Sequence, residues 1–273
     1  MTPLEKVQGA LKYLDPDFYV EAIARKVHGD LGKEKPFKWQ AFDAALMVSV
    51  YIAFAYLLYS ALGYALNTPE PLVVVVSGSM EPVLYRGDVV IMQGVDGGKL
   101  KASEISLTEN IQGVPLKDLA ELAFKEADPE CVSKRVNTVQ EICLRTRNPG
   151  CAPNVEAIKK SCEEVTSIKF KSGEVIEIAT EGDVVVYDAP QAQKEIIHRV
   201  VAKLKAPEGY YLLTKGDNKE TNYNLDQDCG SVSNGVPEKP CISLYPVPMS
   251  QVKGKSLFKI PLLGYVKLIV FQR

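Results

Sequence analysis

Val73–Val90 reads VVVVSGSMEPVLYRGDVV: four valines, a Ser-Gly-Ser step, a proline, and a second valine pair after Arg86-Gly87-Asp88. β-Branched runs bounded by Gly, Pro and Asp predict two short strands joined by a polar segment. The open question is whether the serines only end a strand or mount a nucleophile. A serine becomes a nucleophile when a base takes its proton and fixed donors meet the developing oxyanion. Ser79 follows the first strand, and Gly78 lets another backbone approach closely. If the extended geometry persists, Ser77 and Ser79 point the same way, so one can attack while the other donates. Ser-Gly-Ser turns are also common without any chemistry.

Upstream, Ala44–Leu66 runs 23 residues without a charge. As a helix it would cover about 34 Å at roughly 1.5 Å per residue, enough for a hydrocarbon core of roughly 30 Å. A buried core helix is usually shorter and keeps a polar face, although Tyr51, Tyr56, Tyr59 and Tyr64 soften the contrast. Some forty polar residues precede the span, as expected of an uncleaved anchor and not of a cleaved signal peptide. Lys33, Lys35 and Lys38 lie just before it, and Asn67–Pro71 follows without a positive charge. By the positive-inside rule the N-terminus is cytoplasmic and residues 67 onward face outward.

The six cysteines, Cys131, Cys143, Cys151, Cys162, Cys229 and Cys241, all follow the span, which predicts disulfides in an oxidising compartment. Cys229 with Cys241, and two bridges among the other four, is the simplest pairing. Zinc is disfavoured because no Cys-x-x-Cys occurs and no histidine lies among them. Charged residues make up 24% of the chain and the formal net charge is −2, a balance that gives no support to a nucleic-acid partner.

The spacing predicts amphipathic helices near 4–14 and 17–28, suited to a membrane surface, a cytoplasmic partner or plain solvation. Beyond the span, Val73–Val76, Val89–Met92, Val184–Tyr187, Ile196–Leu204 and Tyr210–Thr214 read as strands. Ile168–Phe170 and Val175–Ile178 flank Ser172-Gly173 as a hairpin. The expectation is a mainly β, barrel-like domain. Between them Pro115 opens an amphipathic run predicted helical through Ala127, and Asn154 can cap another through Glu164. The predicted organisation is therefore a cytoplasmic amphipathic segment (1–40), a transmembrane helix (41–66), an extracytoplasmic β-domain (67–95 and 167–273), and a disulfide-stapled helical insertion (96–166). Val266–Phe271 is too short to form a second span.

Only His28 and His198 exist, and the topology expectation puts His28 across the membrane from Ser79. A Ser–His pair would thus need His198, in the apolar run IIHRVV at 196–201. A lone histidine in such a strand is often structural, and Lys194, four residues upstream on the same face, is the competing base. A third group must orient the imidazole. Asp217, in Thr214-Lys215-Gly216-Asp217-Asn218, is most economically a turn former, while Asp226 and Asp228 follow shortly after. Side-chain chemistry alone leaves that choice open.

SGSMEP at 77–82, RGDVV at 86–90, IIHRVV at 196–201, TKGDN at 214–218 with a later Asp226-Gln227, and IPLLGYV at 260–266 occur in that order. Together, behind an N-terminal anchor, they resemble type I signal peptidases of the archaeal and endoplasmic-reticulum branch, over roughly residues 45–95 and 180–270. The resemblance implies Ser79 as nucleophile, Ser77 in the oxyanion hole, His198 as base, and catalytic aspartates at Asp217 and at Asp226, with Asp228 less well matched. It also implies a membrane-anchored serine endopeptidase that needs no cofactor and cuts preproteins after a small residue at −1, with another at −3. The preprotein, the lipid bilayer and the secretion translocon would be its partners. Residues 1–38 and the insertion have no counterpart in that pattern, and the Lys219–Leu225 interval is longer than usual for it. A binding subunit that kept the fold without catalysis, and a Ser–Lys peptidase on the same fold, are the alternatives.

Overall fold

The computed structural model describes residues 12–29, 35–146, 151–233 and 235–265. The chain divides into two compact units, Met1–Ala65 and Leu66–Arg273. In the first, α1 (Pro16–His28) starts with proline at its first turn, and the Asp15 carboxylate accepts the Asp17 N–H at 3.0 Å. α2 (Phe37–Ala65) is 29 residues long and apolar enough to cross a membrane. His28 Nε2 lies 2.8 Å from Asp43 Oδ1 and Lys35 Nζ donates to Asp43 Oδ2 at 2.7 Å, so the first histidine is engaged within this unit. Of the helix expected near 4–14 only a 3-10 turn, Lys12–Leu14, is described. The remainder of that segment, Lys33 and Val266–Phe271 lie outside the described residues.

The second unit runs β1 (Leu72–Val74), β2 (Val89–Gln93), β3 (Ser103–Ser106), α3 (Leu116–Leu119), β4 (Ala120–Phe124), α4 (Pro129–Thr146), α5 (Val155–Ser161), β5 (Val165–Phe170), β6 (Val175–Glu177), β7 (Val184–Ala189), β8 (Lys194–Ala206), β9 (Gly209–Lys215), β10 (Val232–Ser233), β11 (Val236–Pro237), β12 (Val247–Pro248) and β13 (Val252–Ile260). The main sheet has the order β1-β2-β13-β7-β8-β9-β12, with β3 paired parallel to β8. This path is open, with β1 and β12 as its edges, and the unit is mixed α and β. The barrel-like, mainly β expectation is corrected to that extent.

Two further expectations change. The helix predicted from Pro115 through Ala127 is one turn, α3, followed by β4 paired antiparallel to β5. Leu116 and Ala120 suit either period, and pairing with β5 settles the geometry by burying both against Ile168 and Phe170. β3, placed by sequence inside the 96–166 segment, pairs with β8 in the main sheet. The helix capped by Asn154 forms but ends at Ser161. The β5–β6 hairpin forms as its pattern predicts, with Gly173 at φ 94° in the turn, a value that disfavours any other residue.

The core lies on both faces of the β7–β8–β9 ladder. Val201, Ala202, Leu204 and Leu213 pack against Ile168 and Phe170 of β5 and Leu116 of the insertion. Each such fully buried large apolar side chain contributes roughly 1.5–3 kcal/mol relative to exposure. Three disulfides, Cys131–Cys162, Cys143–Cys151 and Cys229–Cys241, use all six cysteines; Cys229–Cys241 is the pair expected, and the other two bridges fix the pairing that the sequence left open among four cysteines.

Candidate active site

After β1 the backbone leaves the sheet. Val75 still exchanges hydrogen bonds with the Gly87–Asp88 turn (Val75 N–H to Asp88 O, 2.9 Å; Gly87 N–H to Val75 O, 2.8 Å). Ser77–Leu84 then forms bends and turns, with a cis Glu81–Pro82 peptide. The serines are therefore not on a strand, yet Ser77 Oγ and Ser79 Oγ lie 3.2 Å apart. Met80 is fully buried beside them and shares one apolar cluster with Val75, Val186 and Ile197, the residue before His198. That cluster draws the Ser79 segment and the His198 strand together.

A second link is polar. Asn218 donates its backbone N–H to Ser79 O at 2.9 Å and its side-chain amide to Gly78 O at 2.8 Å. Gly216 makes this approach possible, because a Cβ there would stand 2.6 Å from Ser79 O. The Thr214–Asn218 motif is thus the shelf on which the Ser-Gly-Ser segment rests.

His198 sits in β8 opposite Val185 and is 2% exposed. Its Nδ1 lies 2.7 Å from Asp226 Oδ2, and both side chains are buried. A carboxylate oxygen only accepts, so Nδ1 carries a proton, and in the neutral ring this leaves Nε2 as the imine, the tautomer a general base requires. The same Asp226 oxygen accepts from Tyr187 Oη at 2.8 Å and from Thr214 Oγ1 at 2.7 Å. Gln227 closes the set, donating Nε2 to Thr214 Oγ1 at 3.1 Å and accepting the Thr214 N–H at 3.0 Å. Burial, then the neighbouring Asp226 charge, pushes the Tyr187 hydroxyl well above its usual value, so it remains a donor.

The other carboxylates are engaged elsewhere. Asp217 takes a bidentate pair from Arg199, Nε to Oδ1 at 2.8 Å and Nη2 to Oδ2 at 2.6 Å. Arg199 also donates Nη1 to Gly182 O at 2.5 Å. Asp228 is held by Lys239 at 2.6 Å. Alternation along β8 puts Arg199 on the face opposite His198, and Lys215, its partner in β9, likewise points away from Thr214. Asp226 is therefore the aspartate that touches the imidazole, while Asp217 fastens the shelf. Among the described residues no hydrogen bond joins Ser79 to His198. Nucleophile–base contacts are commonly long in unliganded sites and tighten around substrate.

Lys194, the rival base, is exposed at the start of β8, four residues or roughly 13 Å from His198. Sequence reasoning passed over Lys215, which is 8% exposed, with its amine pushed below the usual lysine value chiefly by burial. It donates to Gly216 O at 3.2 Å and lines a cleft of about 540 Å³ between the sheet and the insertion. Tyr187 and Gln227 also escaped notice: a tyrosine among valines and a glutamine beside an aspartate carry no local signal. Among the described residues no group of three or more His, Cys, Asp or Glu converges to hold a metal ion.

No protein-family model matches the chain. Curated relatives nonetheless share stretches of it. The signal peptidase complex catalytic subunit SEC11 of Schizophyllum commune is 38% identical over 63 residues, 23% of this chain and 33% of the relative. That of Emericella nidulans is 29% identical over 112 residues, 40% of this chain and 55% of the relative. The human SEC11C subunit is 30% identical over 87 residues, 32% of this chain and 44% of the relative. The chain thus spans about a third to a half of the length of these curated relatives.

Proposed function

We propose that this protein is a membrane-anchored serine endopeptidase that removes signal peptides from preproteins on the extracytoplasmic side of a membrane. The observation that carries the reading is the buried His198–Asp226 pair, whose tautomer leaves Nε2 free, on a strand packed against the Ser79 segment. The stretches shared with SEC11 subunits support the substrate class.

In this mechanism His198 Nε2 takes the Ser79 hydroxyl proton as Oγ attacks the scissile carbonyl carbon. Ser77 Oγ–H, beside Ser79, donates to the oxyanion. The imidazolium returns its proton to the leaving amine, giving an acyl-enzyme and the free mature N-terminus. Water, deprotonated by His198, then releases the signal peptide. Asp226 orients the ring and stabilises its charged form, while Arg199–Asp217 and Asn218 hold the shelf beneath Ser79.

Substrate would enter as a strand. Among the described residues β1 is a sheet edge paired with β2 alone, and Val76, just ahead of Ser77, is half exposed. The end of β13 and its following turn expose Phe258, Leu262 and Leu263, with Val83 and Tyr85 exposed on the segment after Pro82. We assign this apolar surface to lipid contact. A second apolar stretch, Tyr245–Met249, instead gives Val247–Pro248 to the sheet as β12, where Val247 is fully buried. With α2 as anchor, enzyme and preprotein meet at one membrane surface, which raises their effective concentration.

Cleavage of a purified preprotein by detergent-solubilised His198→Ala and Lys194→Ala variants tests the base. The reading predicts loss in the first and near-normal rates in the second. Full activity without His198 ends it.

A further inference from the structure

Two features have no part in the mechanism above: the disulfide-stapled insertion and the long Lys219–Leu225 interval. The structure packs one on the other. The interval starts at Asn218, which holds Ser79 O and Gly78 O, and ends at Asp226, which holds His198. A single loop therefore links the support of the nucleophile to the support of the base. Its residues, Lys-Glu-Thr-Asn-Tyr-Asn-Leu, are mostly polar; Leu225, next to Asp226, is buried in the main core, which leaves the stretch before it to be held by Tyr223.

At its middle Tyr223 is 7% exposed, seated in a cluster with Cys131 and Cys162 and flanked by Ala127, Val132 and Ile158 of the insertion. The bridge between those cysteines ties the first turn of α4 to the cap after α5. Arg135 stands 5.7 Å over the Tyr223 ring and donates to Ser161 Oγ at 2.8 Å, closing the seat. The Tyr223 carbonyl accepts the Val165 N–H at 3.0 Å, joining the loop to the end of β5. Inside the loop Asn222 donates to Asn218 O at 2.9 Å and abuts Gly216, so the clamp connects directly to the shelf.

We propose that the insertion is a clamp for the catalytic loop, and that Tyr223, seated on the Cys131–Cys162 bridge, is a positioning residue acting through Asn218 and Asp226. This rests on the peptidase reading above. It accounts for the long interval and the insertion occurring in the same chain: a longer loop between two site residues needs an external fixture. The contacts of the clamp named above reach Asn218 and Asp226 and none of them involves β1, where substrate would add as a strand, so the clamp is expected to govern turnover more than substrate affinity. Loops opening locally do so at far lower cost than the sheet that carries them, so releasing Tyr223 frees residues 218–226 while β7–β9 stays closed.

The test uses the full chain in detergent with a purified preprotein. Tyr223→Ala, and separately a Cys131→Ser/Cys162→Ser double variant, are expected to lower kcat by on the order of tenfold or more with KM within about twofold, as expected for misplaced catalytic groups. Tyr223→Phe keeps the ring and is expected to retain wild-type kcat. Hydrogen exchange on the same samples supplies the readout that survives partial unfolding. The clamp predicts faster exchange at residues 218–226 with β7–β9 unchanged. Wild-type kcat in Tyr223→Ala, an equal loss in Tyr223→Phe, or loss of protection spread evenly over β7–β9 would overturn it. A Ser79→Ala arm separates the two claims: persistent cleavage there removes the peptidase reading, while the exchange pattern still judges the clamp.

Discussion

Asp226 Oδ2 receives three donors, from His198, Tyr187 and Thr214, in a site closed to solvent. A hydrogen bond to a charged group contributes about 1.5–3 kcal/mol. Tyr187→Phe or Thr214→Val should therefore cost roughly 10- to 100-fold in kcat/KM if the ring's orientation depends on that bond. Asp226→Asn should cost more, up to about 10⁴-fold, since an amide can select the wrong imidazole tautomer. Asp217→Asn is expected to act differently. It weakens the fork to Arg199, and so should lower the denaturant midpoint by the equivalent of about 1–3 kcal/mol while retaining more activity than Asp226→Asn. Steady-state cleavage rates alongside urea unfolding distinguish these outcomes. The sequence left Asp217, Asp226 and Asp228 open for a physical reason: which carboxylate meets His198 depends on the faces of β8 and β9, and a β-bulge between Val200 and Ala202 resets that register. Composition holds no trace of it.

Strands whose residues alternate or run apolar were legible, among them β7, β8, β9 and the β5–β6 hairpin, because burial on a sheet leaves a period in the sequence. The stretch from Leu116 to Phe124 was not, since its apolar spacing fits a helix and only pairing with β5 makes it a strand. The Ser77–Leu84 segment lies between these cases: the serines were legible as a pair, whereas their place on turns held by Asn218 was not. At this scale the apolar end of β13 carries its own prediction. Phe258→Glu and Leu262→Glu replace exposed side chains, so the fold should persist. Cleavage of preprotein in lipid vesicles should fall several-fold, while cleavage of a soluble peptide spanning the same site should be unchanged. Equal rates on both substrates would remove the lipid contact from the account.

For the molecule as a whole, three observations converge: among the described residues one helix fit to cross a membrane, three disulfides confined to the second unit, and a buried His–Asp pair on a strand packed against the segment that carries the paired serines. The proposed topology predicts that in sealed membrane vesicles residues after 66 are on the oxidising side. All six thiols should then resist alkylation until a reductant crosses the membrane. The long apolar helix and the confinement of the cysteines to the residues after it were readable from sequence because both follow from composition along the chain, whereas the pairing within Cys131, Cys143, Cys151 and Cys162 was not. The insertion's contact with the 219–225 loop was not, because it joins Tyr223 to cysteines some sixty and ninety residues away. The central claim is that Ser79 is the nucleophile of a signal-peptide endopeptidase. Its most direct test is cleavage of a purified preprotein by the solubilised full-length protein, wild type against Ser79→Ala, with N-terminal sequencing of the product. The account predicts one new terminus directly after a small residue for the wild type and none for the variant. Equal cleavage by both proteins, or no cleavage of any preprotein by the wild type, would contradict it.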